Sequence, residues 1–211
     1  MLKITKYPQS TLLIEEKEVR LLIDPGSFAL EKFNLDHFGA LNAVLLTHQH
    51  FDHLDKPAVK SWWSQGVQIF GNSDVYEVLK SEGVEITMVK NQVPFKVNFI
   101  EVTPIDLPHC KMLDGSPGPP NTGFIIAGTF FHPGDGIELA GKEVETAAIP
   151  ITGPTITYER AWNLALSLKA TNVIPMHYSN PKYNADPTRF ADQKPTGIKV
   201  IIINDGESVE I

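Results

Sequence analysis

The chain opens on three short apolar runs, Leu2 to Tyr7, Thr11 to Glu15 and Val19 to Ile23, separated by turn-forming or charged residues, a spacing that predicts a β-meander. The third run stops at Asp24-Pro25-Gly26, where Pro and Gly end the strand and leave a carboxylate at its C-terminal end. Ala43 and the run Val44 to Leu46 read as a buried strand leading straight into Thr47-His48-Gln49-His50. Asp55 followed by Lys56-Pro57 predicts a capped helix through Ala58 to Ser64. The alternation continues with a strand at Gln68 to Phe70, a helix at Ser73 to Ser81 and a strand at Ile86 to Val89. Phe95 to Thr103 reads as one longer strand with Val97, Phe99 and Glu101 on one face. Pro104 to Pro120 holds five prolines and two glycines, which predicts a loop. A hairpin around Gly128 joins Thr122 to Ala127 and Thr129 to His132, and its second arm ends at Pro133-Gly134-Asp135-Gly136. A strand at Thr146 to Ile151, a helix at Tyr158 to Lys169, a strand at Asn172 to Met176, a helix near Pro187 to Gln193 and a strand at Lys199 to Ile203 complete the pattern. With no short-period repeat and no linker, residues 1–211 read as a single α/β domain.

Composition narrows the function classes. Of 211 residues, 42% are hydrophobic and 20% charged, close to ordinary globular usage. The formal net charge of −7, without a Lys/Arg cluster, argues against a nucleic-acid partner. No apolar run approaches the ~18 residues needed to cross a bilayer, and no signal-peptide pattern opens the chain, so no membrane partner and a cytoplasmic address are expected. Cys110 is the single cysteine, which excludes an internal disulfide and Cys-rich zinc modules.

The chemistry concentrates in Thr47-His48-Gln49-His50-Phe51-Asp52-His53, an H-x-H-x-D-H pattern. Shuffling this composition would produce it in roughly four sequences per ten thousand. Imidazole nitrogens and carboxylate oxygens suit zinc, manganese or iron, and four such groups in six residues can be split between two ions on a turn. His109, Asp135 and His177 each stand near the C-terminal end of a predicted strand, the edge where ligands gather in α/β folds.

The ordered set H-x-H-x-D-H, then a His, then Gly-Asp, then a His resembles the metallo-β-lactamase superfamily, with signature elements from Asp24 to His177. The resemblance implies a four-layer αββα sandwich with a dinuclear site at one edge. By motif position, His48, His50 and His109 would hold one ion, Asp52, His53 and His177 the other, and Asp135 would bridge them. Asp24 matches a position behind the ligands. Within the superfamily, Val44-Leu45-Leu46-Thr47-His48, Phe131-His132-Pro133-Gly134-Asp135 and Ile174-Pro175-Met176-His177-Tyr178 look most like the ascorbate-phosphate-lactonase-like hydrolases. Those proteins usually carry a Gly-His pair after the first strand, where this chain has Tyr7-Pro8-Gln9-Ser10.

Two divalent ions, zinc first and manganese or iron as alternatives, would lower the pKa of a water held between them and yield a hydroxide at physiological pH. Hydrolysis of a small-molecule ester, lactone or phosphoester is the expected reaction. Asp52 is a candidate proton shuttle, and His132 and Tyr178 are candidates for supporting the ligands or contacting substrate. The Lys111 to Pro120 loop borders His109 and is a candidate for substrate selection. Cys110 reads as a core residue, one of Trp62 and Trp63 as packed inward with the other exposed, and His37 as surface. The competing readings are an iron-dependent oxidoreductase or dioxygenase on the same fold, a nuclease, and a non-catalytic metal-binding scaffold. Whether the chain forms a homo-oligomer is left open by the sequence.

Overall fold

The computed structural model describes residues 1–179 and 184–211. Strands β1 (Lys3–Lys6), β2 (Leu12–Glu16) and β3 (Val19–Ile23) form the expected antiparallel meander. Helix α1 (Ser27–Lys32) follows, and a short 3₁₀ turn at Leu35–Phe38 precedes β4 (Ala43–Leu46), which pairs parallel to β3. Helix α2 (Lys56–Ser64) is capped as anticipated, with Asp55 Oδ1 accepting from the Ala58 N–H at 3.0 Å. Strand β5 (Gln68–Gly71), helix α3 (Ser73–Ser81) and the two-residue β6 (Thr87–Met88) extend the parallel part of the sheet. The second sheet takes β7 (Phe95–Val97), β8 (Ile100–Asp106), β9 (Thr122–Ile126), β10 (Phe130–His132), β11 (Thr146–Pro150), then helix α4 (Tyr158–Ser167) and β12 (Asn172–Met176). Helix α5 (Pro187–Asp192) and β13 (Lys199–Val200) come next, and β14 (Ser208–Glu210) returns to pair with β1. The strand orders are β14-β1-β2-β3-β4-β5-β6 and β13-β12-β11-β10-β9-β8-β7, two mixed seven-stranded sheets.

Burial of alternating faces produces the layering. Ile4, Ile14, Leu21 and Leu45 from the first sheet meet Val102, Phe124, Phe130 and Ile174 from the second in a central core. The opposite face of the first sheet, with Leu22, Val44 and Leu46, packs on Val59, Trp62 and Leu79 of α2 and α3. The outer face of the second sheet, with Ala147, Ile149 and Val173, packs on Trp162 and Ala165 of α4 and Phe190 of α5. The result is the expected four-layer αββα sandwich. No helix among the described residues is long and apolar enough to cross a membrane.

The sequence pattern misleads in four places. The expected single strand from Phe95 to Thr103 is two strands, β7 and β8, because Asn98 adopts φ +54° and turns the chain, pairing Val97 with Ile100 and leaving Phe99 half-exposed. Asn tolerates that left-handed conformation better than most residues. The expected loop starting at Pro104 begins later, since β8 runs through Pro104 to Asp106. The Pro104 carbonyl accepts from Gln92 N–H, so its N–H-less nitrogen also points away from β9 to a side where β7 no longer pairs, the position a sheet allows for proline. The last expected strand, Lys199 to Ile203, is cut to Lys199–Val200, and Ile86 to Val89 to Thr87–Met88.

Candidate metal centre

The site is built where both sheets end. Asp24 follows β3, His48 follows β4, Asp135 follows β10, His177 follows β12, and His109 lies three residues beyond β8. Three hydrogen bonds stitch the sheets together at this edge: Thr122 N–H to Thr47 O at 3.0 Å, His177 N–H to Gln9 O at 2.9 Å, and His132 Nε2–H to Ser10 O at 2.8 Å. The backbone is strained here, with Gln9 (φ +61°), Asp24 (+49°) and His177 (+60°) all left-handed. Such conformations persist only where surrounding contacts hold them, and they cluster at functional sites.

All seven residues named from the sequence come together. Ligand-competent atoms of His48, His50, His109 and Asp135 lie within 4.8 Å of one another, and so do those of Asp52, His53 and His177. Asp135 lies between the groups: its Oδ1 is 3.2 Å from His53 Nε2 and 3.3 Å from His177 Nε2, while Oδ2 is 3.5 Å from His109 Nε2. His53 Nε2, His109 Nε2 and Asp135 Oδ1 are buried with no hydrogen-bond partner among the described residues. Convergent orphaned lone pairs of nitrogen and carboxylate oxygen are what a divalent cation would satisfy, so the residues fit a metal centre.

Outer hydrogen bonds select which nitrogen His48, His53 and His109 offer. Asp24 is fully buried, and its Oδ2 accepts from His53 Nδ1 at 2.7 Å, leaving Nε2 of His53 free. The same Oδ2 accepts from the Thr47 hydroxyl at 2.7 Å, and Oδ1 accepts from Thr47 N–H at 2.8 Å. Having spent its proton on Asp24, the Thr47 hydroxyl accepts from His48 Nδ1–H at 3.0 Å, and His48 Nε2 is left as the lone pair. His109 Nδ1–H donates to the Cys110 carbonyl at 2.6 Å, so Nε2 faces the site. Asp24 is therefore more than a turn former, because it sets the tautomers of two histidines.

Electrostatics follow the same layout. Burial and then the neighbouring His53 depress His48 well below the ordinary histidine range. Burial also opposes charge on His53, yet the carboxylates of Asp135 and Asp24 outweigh it and raise its pKa well above that range. Against the same burial cost, Asp135 and Asp52 lift His177 to about 9. Asp52, despite burial, is held at about 2 by the His177 hydrogen bond and the charge on His53.

A pH dependence of the metal-free protein follows. Against an ordinary value of 6.5, the contribution of His177 to stability is fully present below about 6.5 and is lost as pH rises through about 9. The contribution of Asp52 is present above 3.8 and is lost as pH falls through about 2. Chelator-stripped protein should thus melt at a lower temperature at pH 9.5 than at pH 6.5. Metal uptake must displace the protons of His177 and His53, so metal affinity should rise with pH through about 9. Thermal melts of stripped and loaded protein across this range check both points, and identical pH profiles for the two would contradict them.

The remaining candidates sit behind the cluster. His132 is fully buried, donating through Nε2 to Ser10 O and accepting at Nδ1 from Gly134 N–H at 3.2 Å, which occupies both ring nitrogens. Tyr178 donates to the Ile203 carbonyl at 3.3 Å beneath the buried Lys6 ammonium, 4.5 Å from its ring, and so supports the chain after His177 from behind. Cys110 packs with Ile137 and Ile156, and burial pushes its thiol up to about 12. The 111–120 loop touches the site directly, since a Cβ added at Gly118 would lie 2.2 Å from His109 Nδ1.

Two supports carry no signal in the sequence pattern. Asn121 donates to the Pro133 carbonyl at 2.9 Å and accepts from Asp135 N–H at 3.2 Å, which holds the turn presenting Asp135. Gly26 is pressed against the metal loop, where an added Cβ would fall 1.9 Å from the Asp52 carbonyl. Gly26→Ala should therefore displace the Asp52 loop and cost about 3 kcal/mol or more. A thermal melt together with metal content checks this, and a wild-type melt with full metal retention would contradict it.

Two packed mixed sheets, outer helices on both faces and a His/Asp cluster at their common edge define a protein of the metallo-β-lactamase fold. The beta-lactamase superfamily domain family matches residues 3–177. The chain belongs to that superfamily and, within it, to the UPF0173 metal-dependent hydrolase family. The UPF0173 metal-dependent hydrolase of Pyrococcus furiosus is 30% identical, with 100% of each chain covered. Among solved structures, Igni18, a metallo hydrolase from Ignicoccus hospitalis, superimposes with a TM-score of 0.81 at 26% identity, covering 99% of this chain and 97% of that one. The fold is also shared with an isothiocyanate hydrolase from Delia radicum gut bacteria, at a TM-score of 0.73 and 18% identity, with 99% of each chain covered.

Proposed function

We propose that this protein is a hydrolase of a small uncharged ester or lactone that works with two divalent metal ions. The observation that carries this reading is Asp135, whose two carboxylate oxygens face different sets of histidines. His48, His50 and His109 would hold one ion, Asp52, His53 and His177 the other, with Asp135 shared. Bound at such a pair of sites, divalent ions, zinc foremost, supply a water-derived nucleophile at neutral pH and polarise the scissile carbonyl. The protein's part is to fix the donors. Asp24 and Thr47 orient His53 and His48, the Cys110 carbonyl orients His109, and Asn121 holds Asp135. Asp52, ionised across the physiological range, suits holding a cation better than carrying a proton.

The surroundings favour an uncharged acyl substrate over a phosphoester. A cavity of about 510 Å³ borders His109 and is walled by Pro117, Pro119, Pro120, Asn72 and Asn121, with no Lys or Arg among the described residues of its lining and with Asp106 in it. Beyond the ions themselves, phosphate recognition draws on cationic side chains or clustered N–H donors, and an Asp repels it. Phe51, between His50 and Asp52, is 61% exposed beside Phe28 and adds apolar surface near the metal loop. Turnover of a panel of acyl esters and lactones beside phosphomonoesters and phosphodiesters tests the reading. Activity on the acyl panel that disappears on chelation and returns with zinc or manganese supports it. Turnover of the phosphoesters alone would reverse the substrate assignment.

A further inference from the structure

Gln9 lies outside the donor motifs, in the turn after β1, yet its backbone and side chain both reach the segment around His177. It is fully buried with φ +61°, a conformation that costs a non-glycine residue about 1 kcal/mol or more. Its backbone carbonyl accepts from His177 N–H at 2.9 Å. Its side-chain Oε1 accepts from Ser179 N–H at 3.1 Å, which fixes the amide orientation. The amide nitrogen must then face the other way, and it donates to Asp52 Oδ2 at 3.3 Å while lying 3.5 Å from His177 Nε2.

We infer that Gln9 is a positioning residue for the Asp52, His53 and His177 half of the centre, tying the Asp52 carboxylate and the His177 segment to the first sheet. The inference rests on the two-ion reading above and extends it to a residue outside the donor set. Asp52 Oδ2, which accepts from the amide, is also the oxygen that lies 3.4 Å from His177 Nε2, so the amide holds the oxygen that faces the centre. A neutral amide does this without adding a titrating group at position 9. The three His donors of the other half make no contact with Gln9 among the described hydrogen bonds, so the effect is confined to one ion.

Calorimetric titration of chelator-stripped wild type, Gln9→Gly and Gln9→Met with zinc chloride tests this, with metal content after dialysis as a second readout. Glycine adopts φ +61° freely and keeps the turn, while methionine keeps most of the volume without the amide. Wild type should show two binding steps. Both variants should weaken the second step roughly 10–100-fold and leave the first unchanged. A Gln9→Met protein with both steps intact would overturn the inference and make Gln9 a space-filler. Equal weakening of both steps would overturn it in favour of a general scaffolding role. A wild type with one step only would overturn the two-ion reading and this inference with it. If Gln9→Met does not fold, the Gln9→Gly result decides.

Discussion

Asp135→Ala should reduce metal content from about two ions per chain to at most about one and lower hydrolytic activity by roughly 10³-fold or more, well beyond the ~10–100-fold that partners behind the ligands command. The substitution removes both shared oxygens. His48, His50 and His109 remain as a three-nitrogen set able to keep one cation, whereas Asp52, His53 and His177 lose the carboxylate that faces them. The turn itself should survive. Its main-chain bonds, Asp135 N–H to Asn121 Oδ1 and Cys110 N–H to the Asp135 carbonyl, do not involve the side-chain carboxylate. Metal analysis alongside a thermal melt separates loss of the centre from loss of the fold. A variant that holds two ions and turns over normally would remove Asp135 from the mechanism.

Asp24→Asn should be nearly as damaging although Asp24 touches no substrate. The amide oxygen can still accept from Thr47 N–H, which keeps the buried backbone group satisfied. The amide nitrogen, however, takes the place of Oδ2 and presents protons to His53 Nδ1 and to the Thr47 hydroxyl. His53 must then accept at Nδ1, which moves its proton to Nε2 and removes the lone pair aimed at the centre. The Thr47 hydroxyl, now an acceptor, turns its own proton toward His48 Nδ1 and displaces that tautomer in the same way. Zinc affinity should fall by roughly 100-fold with little change in far-UV circular dichroism. Unaltered zinc titration in a folded Asp24→Asn protein would contradict the relay.

The part of the site that was legible in the sequence is the part written locally. H-x-H-x-D-H lies between a buried strand and a capped helix, so its residue types and its place at a strand end are read together. His109, Asp135 and His177 were legible because turn residues or prolines surround each of them close to a strand end. The rest depends on contacts between distant segments. Nothing near Gln9 announces that β1 ends against the chain leaving β12, 168 residues on from Gln9 to His177. Asn121 likewise gains its role from the Asp135 turn, a contact set by the pairing of β9 and β10. Helix α1 is hidden because it is six residues long and its N-cap is Gly26, with no side-chain cap to mark the start. Strand β14 is hidden because its partner is the first strand of the chain. The break between β7 and β8 carries an Asn in place of glycine at the turn, so the apolar alternation runs through it unmarked.

Two cations sharing Asp135 are the centre of the proposed chemistry, and metal content per chain of protein purified without chelator or nickel affinity measures them most directly. Elemental analysis should give about two equivalents of zinc or manganese for the wild type and at most about one for Asp135→Ala. A wild type that holds no metal and rebinds none tightly, or an Asp135→Ala protein that retains two equivalents, would contradict it.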